Sequence, residues 1–384
     1  MFEYPNKLNI IFDKLNKYDI KPIFVGGFVR DFFLKINSKD IDIELYNAKS
    51  FEQIAEILKE FANPNIIGKS FGVLKLKVDD LDIDFSLPRL DSKISKGHKG
   101  FEVTINSTLD FKTAASRRDF TINAIGFDPH TKKIIDPFNG VDDLKNKILK
   151  IINPKTFIED PLRVLRAMGF CARFELKCDK NLIFICKEMI EQNMLDELPQ
   201  SRIYNEFKKL FLKSKKPSIG LDFLNQIGAL SFFYELKMDS ESWINTLNSI
   251  DRFCANKLKD DKTNITIVLA LLCYELDDKN IDTFIYKLTN KRKLTRVIKS
   301  FHHVAKYLQN KSTKLLYKIT KNISTEELSA FLNALNISKE KMEIVPFIKP
   351  AIDAKKIPIE NIKEPKDYSK ILQTIYEQQF FWNK

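Results

Sequence analysis

Several features that would indicate other classes of protein are scarce or missing in this 384-residue chain. Its five cysteines include no Cys-x-x-Cys pair, so we expect neither a zinc ribbon nor a disulfide framework. The longest strongly apolar run, residues 267–274, is far shorter than the ~20 residues that a membrane helix needs. The N-terminus lacks the basic start and apolar run of a secretory signal. These absences predict a protein of the reducing cytoplasm without a membrane partner.

Glycine and proline are missing from most of the C-terminal half. All eleven glycines lie between Gly26 and Gly228, and no proline occurs between Pro217 and Pro346. Because these residues mark turns, their absence predicts helices joined by polar turns. Helix-like spacing of apolar residues is present in segments 243–253, 265–274, 282–288 and 299–308.

The N-terminal third has a different pattern. A serine-capped helical segment covers residues 50–61. Around it, strand-like runs occupy residues 22–25, 41–45, 73–78 and 83–85. We therefore expect an α+β fold. An N-terminal head with a small mixed sheet and helices would precede an all-helical remainder, with the change near Pro154.

Charge is distributed unevenly along the chain. Residues 1–200 carry 31 basic and 30 acidic side chains, whereas residues 201–384 carry 32 and 21. A basic half joined to a balanced half favours a polyanionic partner such as nucleic acid. The alternative is a lysine-rich helix surface without any partner.

Two aspartates stand two residues apart in the second predicted strand. Side chains alternate along a strand, so Asp40 and Asp42 point to the same face. Two such carboxylates repel each other, and a divalent metal, most simply Mg²⁺, would relieve the repulsion. A solvated strand edge or a glycosyltransferase Asp-x-Asp motif would have the same pattern. A third acid, Asp84, is a candidate to complete a two-metal site, unless it belongs to an exposed acidic turn.

Two other segments predict nucleotide contacts. Gly26 and Gly27 follow a strand and open a helix, which lets backbone approach a phosphate, and Arg30 follows one turn later. Asp160 and Arg163 are three residues apart at a helix start and share a face. Together they match the hydrogen-bonding edges of cytosine and adenine and mismatch those of guanine and uracil. The alternative is that Asp160 only caps the helix and pairs with Arg163.

Motifs in a fixed order resemble a known family. They are GGFVRD (26–31), KDID (39–42), RRDFTINAI (117–125), DPFNGVDDL (136–144), EDPLRVLRAMGFCARF (159–174) and LPQSRIYNEF (198–207). The sequence resembles class II tRNA nucleotidyltransferases. These are the CCA-adding enzymes and their poly(A) polymerase relatives, within the DNA polymerase beta-like nucleotidyltransferase superfamily. The resemblance covers residues 22–212.

The resemblance implies an architecture and a set of roles. A nucleotidyltransferase head would span residues 1–150, a base-reading neck 151–212, and a tRNA-binding body and tail 213–384. Asp40 and Asp42 would bind catalytic Mg²⁺, beside Asp84, the third catalytic acid that we expect from the strand pattern. The nucleotide would contact Gly27, Arg30, Arg118, Asp119, Asp160, Arg163 and Arg166.

Three details qualify this resemblance. Gly169 stands where many members have another arginine. The polar segment 89–101, with His98, is expected to be a loop of the kind that accompanies the change from C to A addition, which argues against a CC-only enzyme. None of the four histidines precedes an aspartate, so we expect no HD phosphohydrolase domain.

The resemblance predicts an enzyme that builds or repairs the 3′-CCA end of tRNA from CTP and ATP and releases pyrophosphate. It would contact the acceptor stem and elbow of tRNA, with no stable protein partner implied. An A-adding enzyme and a bacterial poly(A) polymerase remain alternatives. A catalytically silent tRNA-binding protein is the alternative from another class.

Overall fold

A seven-stranded mixed sheet organises the N-terminal part of the chain. The computed structural model describes residues 2–38, 40–67, 73–93, 101–310 and 322–337, with 319, 370, 371, 374 and 375. The strands of the sheet are β1 (Lys21–Val25), β2 (Asp40–Tyr46), β3 (Asn65–Ile67), β4 (Val73–Val78), β5 (Leu81–Ser86), β8 (Gly126–Asp128) and β9 (Lys133–Ile135). Their order is β3-β4-β5-β2-β1-β8-β9. Strands β2 and β5 are parallel, and the other pairs in this sheet are antiparallel.

Two strand pairs lie outside this sheet. β6 (Arg89–Lys93) pairs with β7 (Phe101–Ile105), so both ends of the segment predicted as a loop are strands. The rest of that segment, residues 94–100 with His98, lies outside the described residues. β10 (Ile148–Leu149) pairs with β11 (Lys177–Cys178), which places a short strand in a region predicted to be all-helical.

The chain divides into two compact units. The N-terminal unit comprises Met1–Ala167 and Glu175–Leu198, and the C-terminal unit comprises Met168–Phe174 and Pro199–Lys384. The N-terminal unit contains α1 (Leu8–Asn16), α2 (Gly26–Phe33), α3 (Phe51–Leu58), α4 (Phe111–Ala115), α5 (Gly140–Lys145), α6 (Pro154–Ile158), the start of α7 (Leu162–Phe174) and α8 (Lys180–Glu191). The division into head, neck and body at residues 150 and 212 stays a prediction.

The two faces of the sheet have different coverings because side chains alternate along each strand. On one face Phe24 packs in an aromatic cluster, where the rings of Phe2 and Phe127 stack at 4.2 Å. On the other face Ile23, Val25, Tyr46 and Ala114 form a buried cluster. Asp42 lies opposite Val25 in the antiparallel β1–β2 register. The predicted catalytic strand therefore presents its aspartates to the second face.

The C-terminal unit is helical in its described residues, as predicted. Its complete helices are α9 (Gln200–Lys213), α10 (Ser218–Gln226), α11 (Ser240–Ala255), α12 (Asp261–Leu272), α13 (Asp278–Leu288), α14 (Arg292–Asn310) and α15 (Thr325–Ala334). Helix α12 is buried from Asn264 to Leu272 and contacts α9, α11, α14 and α15. The long apolar run of the sequence is thus a central core helix. Among the described helices, none has the length and apolar character needed to cross a membrane.

Helices α9 and α10 follow Pro199 and Pro217, but side-chain caps mark the starts of four later helices in this unit. Asp239, Asp260, Asp277 and Ser324 each accept hydrogen bonds from backbone N–H groups at the start of a helix. Such caps satisfy donors that have no partner within the helix. The polar turns that the sequence predicted therefore begin new helices by hydrogen bonding.

Candidate active site

The turn between β1 and α2 brings backbone close to two charged side chains. Gly26 has φ +68°, a left-handed conformation that glycine adopts without strain. A Cβ atom there would lie 3.2 Å from Asp42 Oδ2 and 3.4 Å from Arg118 Nη1. Both the conformation and the space require glycine at this position. At Gly27, the predicted nucleotide contact, a Cβ would meet only Arg30 Nη2, at 3.4 Å, among the residues that the structure describes.

The three predicted catalytic aspartates lie on neighbouring parallel strands. Asp42 on β2 is opposite Asp84 on β5, and Asp40 precedes Asp42 on the same face of β2. The pKa of Asp42 is raised to about 6, chiefly by burial; Asp84 and Asp40 also raise it, whereas Arg118 and Lys75 lower it. A carboxyl whose ionisation is opposed by burial and by like charges would be stabilised by a bound cation.

A lysine that we did not consider from the sequence pairs with the third aspartate. Lys75 on β4 lies opposite Asp84 on β5, and its Nζ is 3.0 Å from Asp84 Oδ2. This hydrogen bond raises the pKa of Lys75. Metal binding by Asp84 would therefore compete with this ion pair, and its role as a catalytic acid stays a prediction.

The residues present fit a divalent cation through the chemistry of their donors. Within the residues that the structure describes, no three His, Cys, Asp or Glu side chains converge into a ready-made metal site. Asp40 and Asp42 nevertheless supply two hard carboxylate donors on one strand face. Magnesium sites of phosphoryl-transfer enzymes typically use one or two carboxylates and complete their coordination with water and substrate phosphates. Asp40 and Asp42 are therefore enough protein ligands to hold such a cation.

A third acidic side chain continues the row on β2. Glu44 follows Asp42 by two residues on the same face and has no exposed surface. Its Oε2 accepts a hydrogen bond from Tyr46 Oη at 2.7 Å. Its Oε1 lies 3.4 Å from Arg117 Nη2 and 3.6 Å from Arg118 Nη2. The two arginines of the predicted nucleotide motif therefore share one buried carboxylate.

Asp119, the third residue of that motif, is the centre of a buried network. Its Oδ2 accepts from Nε and Nη2 of Arg166, both at 2.6 Å, and its Oδ1 accepts from Asn123 Nδ2 at 2.9 Å. Burial acts to raise the pKa of Asp119, but Arg166, Asn123 and Arg163 together hold it below its usual value. Asp119 is thus a buried anion that fixes the direction of Arg166.

Arg30 is buried in the same network. Its Nε and Nη2 donate to Asp31 Oδ1 at 2.8 and 2.6 Å, and its Nη1 donates to Asn123 Oδ1 at 2.6 Å. Asn123 thus links Arg30 to Asp119 through its two amide atoms. All three nitrogens of the Arg30 guanidinium donate within the protein, and its contact with a nucleotide stays a prediction.

The predicted base-reading pair lies at the start of α7. Asp160 Oδ1 accepts from the Leu162 backbone N–H at 3.1 Å, so the capping alternative is present. Arg163 donates from Nη1 to the Thr156 carbonyl at 2.9 Å and from Nη2 to the Arg117 carbonyl at 2.8 Å. Burial lowers the pKa of Arg163. Arg163 and Arg166 therefore both anchor the segment that contains Arg117 and Asp119.

Three residues of this region were missed from the sequence: Glu44, Lys75 and Asn123. Extending the alternation of Asp40 and Asp42 by one step would have found Glu44. Asn123 lies inside a motif that we quoted as a whole. Lys75 carried no signal, because its position depends on the register of β4 against β5.

The chain is similar in sequence to known proteins. Residues 23–150 match the poly A polymerase head domain family. The chain is 30% identical over 343 residues to a protein named CCA-adding enzyme from Francisella tularensis subsp. tularensis, covering 86% of this chain and 89% of that protein.

Solved structures share the fold. An apo CCA-adding enzyme superposes with a TM-score of 0.72 at 23% identity, covering 98% of this chain and 92% of the other. The Thermotoga maritima CCA-adding enzyme, solved in complex with tRNA-CCA, gives a TM-score of 0.68 at 22% identity with the same coverage of each chain. With the relative above aligned along most of both lengths, the chain belongs to the CCA-adding enzyme family of nucleotidyltransferases.

Proposed function

We propose that the chain adds the 3′-terminal CCA to tRNA from CTP and ATP, without a nucleic-acid template and with release of pyrophosphate. The observation that carries this proposal is the parallel β2–β5 register. It sets Asp42 opposite Asp84 beside the glycine turn, where Arg118 also lies. Family membership supports the same reaction, since the aligned Francisella relative is named a CCA-adding enzyme.

We propose that Asp40 and Asp42 hold a divalent cation and that this cation is Mg²⁺. When bound, such a cation neutralises charge on the phosphates and lowers the pKa of the attacking hydroxyl. The RNA 3′-hydroxyl attacks the α-phosphorus, the bond to the β-phosphate oxygen breaks, and pyrophosphate leaves. Gly26 and Gly27 allow backbone to approach the triphosphate, and Arg118 supplies positive charge beside it.

Base selection is assigned to Asp160 and Arg163. Their carboxylate and guanidinium would meet the amino donor and the ring acceptors that cytosine and adenine share. In the described structure both side chains are engaged with backbone groups. Reading a base therefore requires Asp160 to use its remaining lone pairs and Arg163 its remaining donors.

RNA binding is assigned to the C-terminal unit. A cavity of 580 Å³ lies between α13 and α14 and is lined by Tyr286, Arg292, Arg296 and Lys299 among others; we call it the α13–α14 groove. Lys299 pairs with Asp282, whereas Arg292 and Arg296 make no ion pair with any residue that the structure describes. Tyr286 is 64% exposed. Uncompensated arginines beside an exposed aromatic ring suit a phosphodiester backbone.

The reaction is tested with three tRNA substrates that end before the first C, after one C and after both. The proposal predicts C, C and A addition followed by termination. Extension of the third substrate alone would indicate an A-adding enzyme, and long adenosine tails on unrelated RNA would indicate a poly(A) polymerase. Absence of incorporation together with tRNA binding would indicate a catalytically silent protein. We also place the reaction in the cytoplasm, in keeping with five cysteines that are all free thiols.

A further inference from the structure

We infer that Glu44 is a positioning residue for nucleotide addition, because its buried carboxylate holds Arg118 beside the β1–α2 turn and away from Asp42. The inference rests on the proposed function, in which Arg118 contacts the incoming nucleotide. Nothing in the motifs assigns a role to Glu44, which differs from Asp40 and Asp42 in being fully buried.

The carboxylate of Glu44 divides its two oxygens between different partners. Tyr46 Oη donates to Oε2 at 2.7 Å, which leaves Oε1 facing the guanidinium groups of Arg117 and Arg118 at 3.4 and 3.6 Å. Two adjacent arginines in a largely buried region repel each other unless a negative charge lies between them. Glu44 supplies that charge in a place that solvent does not reach.

Asp42 is a second carboxylate with which Arg118 could form an ion pair. The Nη1 of Arg118 donates to the Asn123 carbonyl at 3.0 Å. A Cβ atom at Gly26 would lie 3.4 Å from this Nη1 and 3.2 Å from Asp42 Oδ2, so both groups border the glycine. Asp42 forms no ion pair within the described part of the chain, although the charge of Arg118 lowers its pKa. Arg118 Nε is buried and has no hydrogen-bond partner among the described residues. The guanidinium is therefore held by Glu44 and Asn123 at the edge of the candidate metal site.

Loss of the charge on Glu44 would change this balance. Arg118 would be left with Asp42 as the nearest carboxylate, and an ion pair there would occupy both groups. The aspartate would be less available to a cation, and the guanidinium less available to the triphosphate. Because CTP and ATP carry the same triphosphate, the loss should be equal for both nucleotides.

The test uses two variants of Glu44, one that removes the charge and one that shortens the side chain. Glu44→Gln keeps the shape and removes the charge; kcat/KM for CTP and for ATP should each fall by about tenfold or more, the scale of one charge-assisted hydrogen bond. Glu44→Asp keeps the charge on a shorter side chain and should lose less than Glu44→Gln. A purely structural role predicts the opposite order, since Gln fills the space of Glu. Equilibrium binding of CTP and ATP without tRNA should weaken in the same order.

A matched control lies in the other unit. The side chain of Glu235 also has no exposed surface, and it pairs with Lys287 at 3.2 Å. Glu235→Gln should lower the unfolding temperature without changing kcat/KM for either nucleotide. Unchanged kinetics in Glu44→Gln, a smaller loss than in Glu44→Asp, or an equal loss in Glu235→Gln would each overturn the inference. An inactive wild-type protein would instead contradict the proposed function itself.

Discussion

In the N-terminal unit, charged side chains lie buried against one another beside the sheet, whereas in the C-terminal unit much of the positive charge is exposed on helices. Arg30, Glu44 and Asp119 are nearly or fully buried, each with a defined partner. Arg292 and Arg296 are exposed and line a groove. Buried charges hold precise geometry, and exposed charges give salt-dependent attraction to a polyanion. The difference suggests that chemistry and RNA binding can be impaired separately.

The largest effect should come from the aspartate at the centre of the site. Asp42→Ala should lower nucleotide addition by about a thousandfold, the upper scale for one group that stabilises charge in a transition state. Binding of tRNA should stay nearly unchanged, because the excess positive charge lies elsewhere. Single-turnover addition and equilibrium tRNA binding measure the two properties. Glu56→Ala, at an exposed acid on α3, is the control, and substantial activity in Asp42→Ala would remove Asp42 from the metal site.

The converse experiment uses the α13–α14 groove. Arg292→Ala combined with Arg296→Ala should weaken tRNA binding by about tenfold and reduce the salt slope by about two, with single-turnover addition at saturating tRNA retained. Lys259→Ala with Lys262→Ala removes the same charge from exposed positions that do not line the groove. Equal weakening by both pairs would mean that total charge, and not this groove, attracts the RNA.

A third prediction concerns stability of the N-terminal unit. The pKa of Asp119 is depressed in the folded protein, so its contribution to stability is present above the ordinary value of 3.8 and is lost as the pH falls through the depressed value. Asp119→Asn should therefore cost about 2 kcal/mol at pH 7, since it weakens the partner of Arg166. Urea unfolding at several pH values measures this difference. If Asp119→Asn lowered the free energy of unfolding by the same amount well below pH 3.8, the loss of stability would not come from the charge of Asp119.

The smallest effect should come from a helical glycine in the C-terminal unit. Gly169 lies inside α7, and a Cβ atom there meets nothing within 4 Å. Gly169→Ala should stabilise the protein by about 1 kcal/mol through helix propensity. Gly220→Ala in α10 is the contrast, because its Cβ would lie 2.5 Å from the Met168 carbonyl oxygen. Thermal unfolding should shift in opposite directions for the two variants.

Local patterns were sufficient for much of the fold. A short apolar run at 22–25 predicted β1. Alternation in 41–45, 73–78 and 83–85 predicted β2, β4 and β5, because a strand buried on one face leaves this period in the sequence. Short strands such as β10 and β11 were missed, since two residues are too few to establish a period. The α+β class was confirmed together with the helical C-terminal part.

By itself, the sequence determined which side chains share a strand face, which segments are helical and which family the motifs resemble. Asp40 and Asp42 share a strand face because side chains alternate along a strand, and this requires no contact with another part of the chain. Only the tertiary structure decided that Asp84 meets Lys75, that Glu44 holds two arginines and that Gly26 faces Asp42. These contacts depend on strand register and on burial. The local spacing of residues determines neither strand register nor burial, because both require segments that are far apart in the sequence to pack together and exclude water.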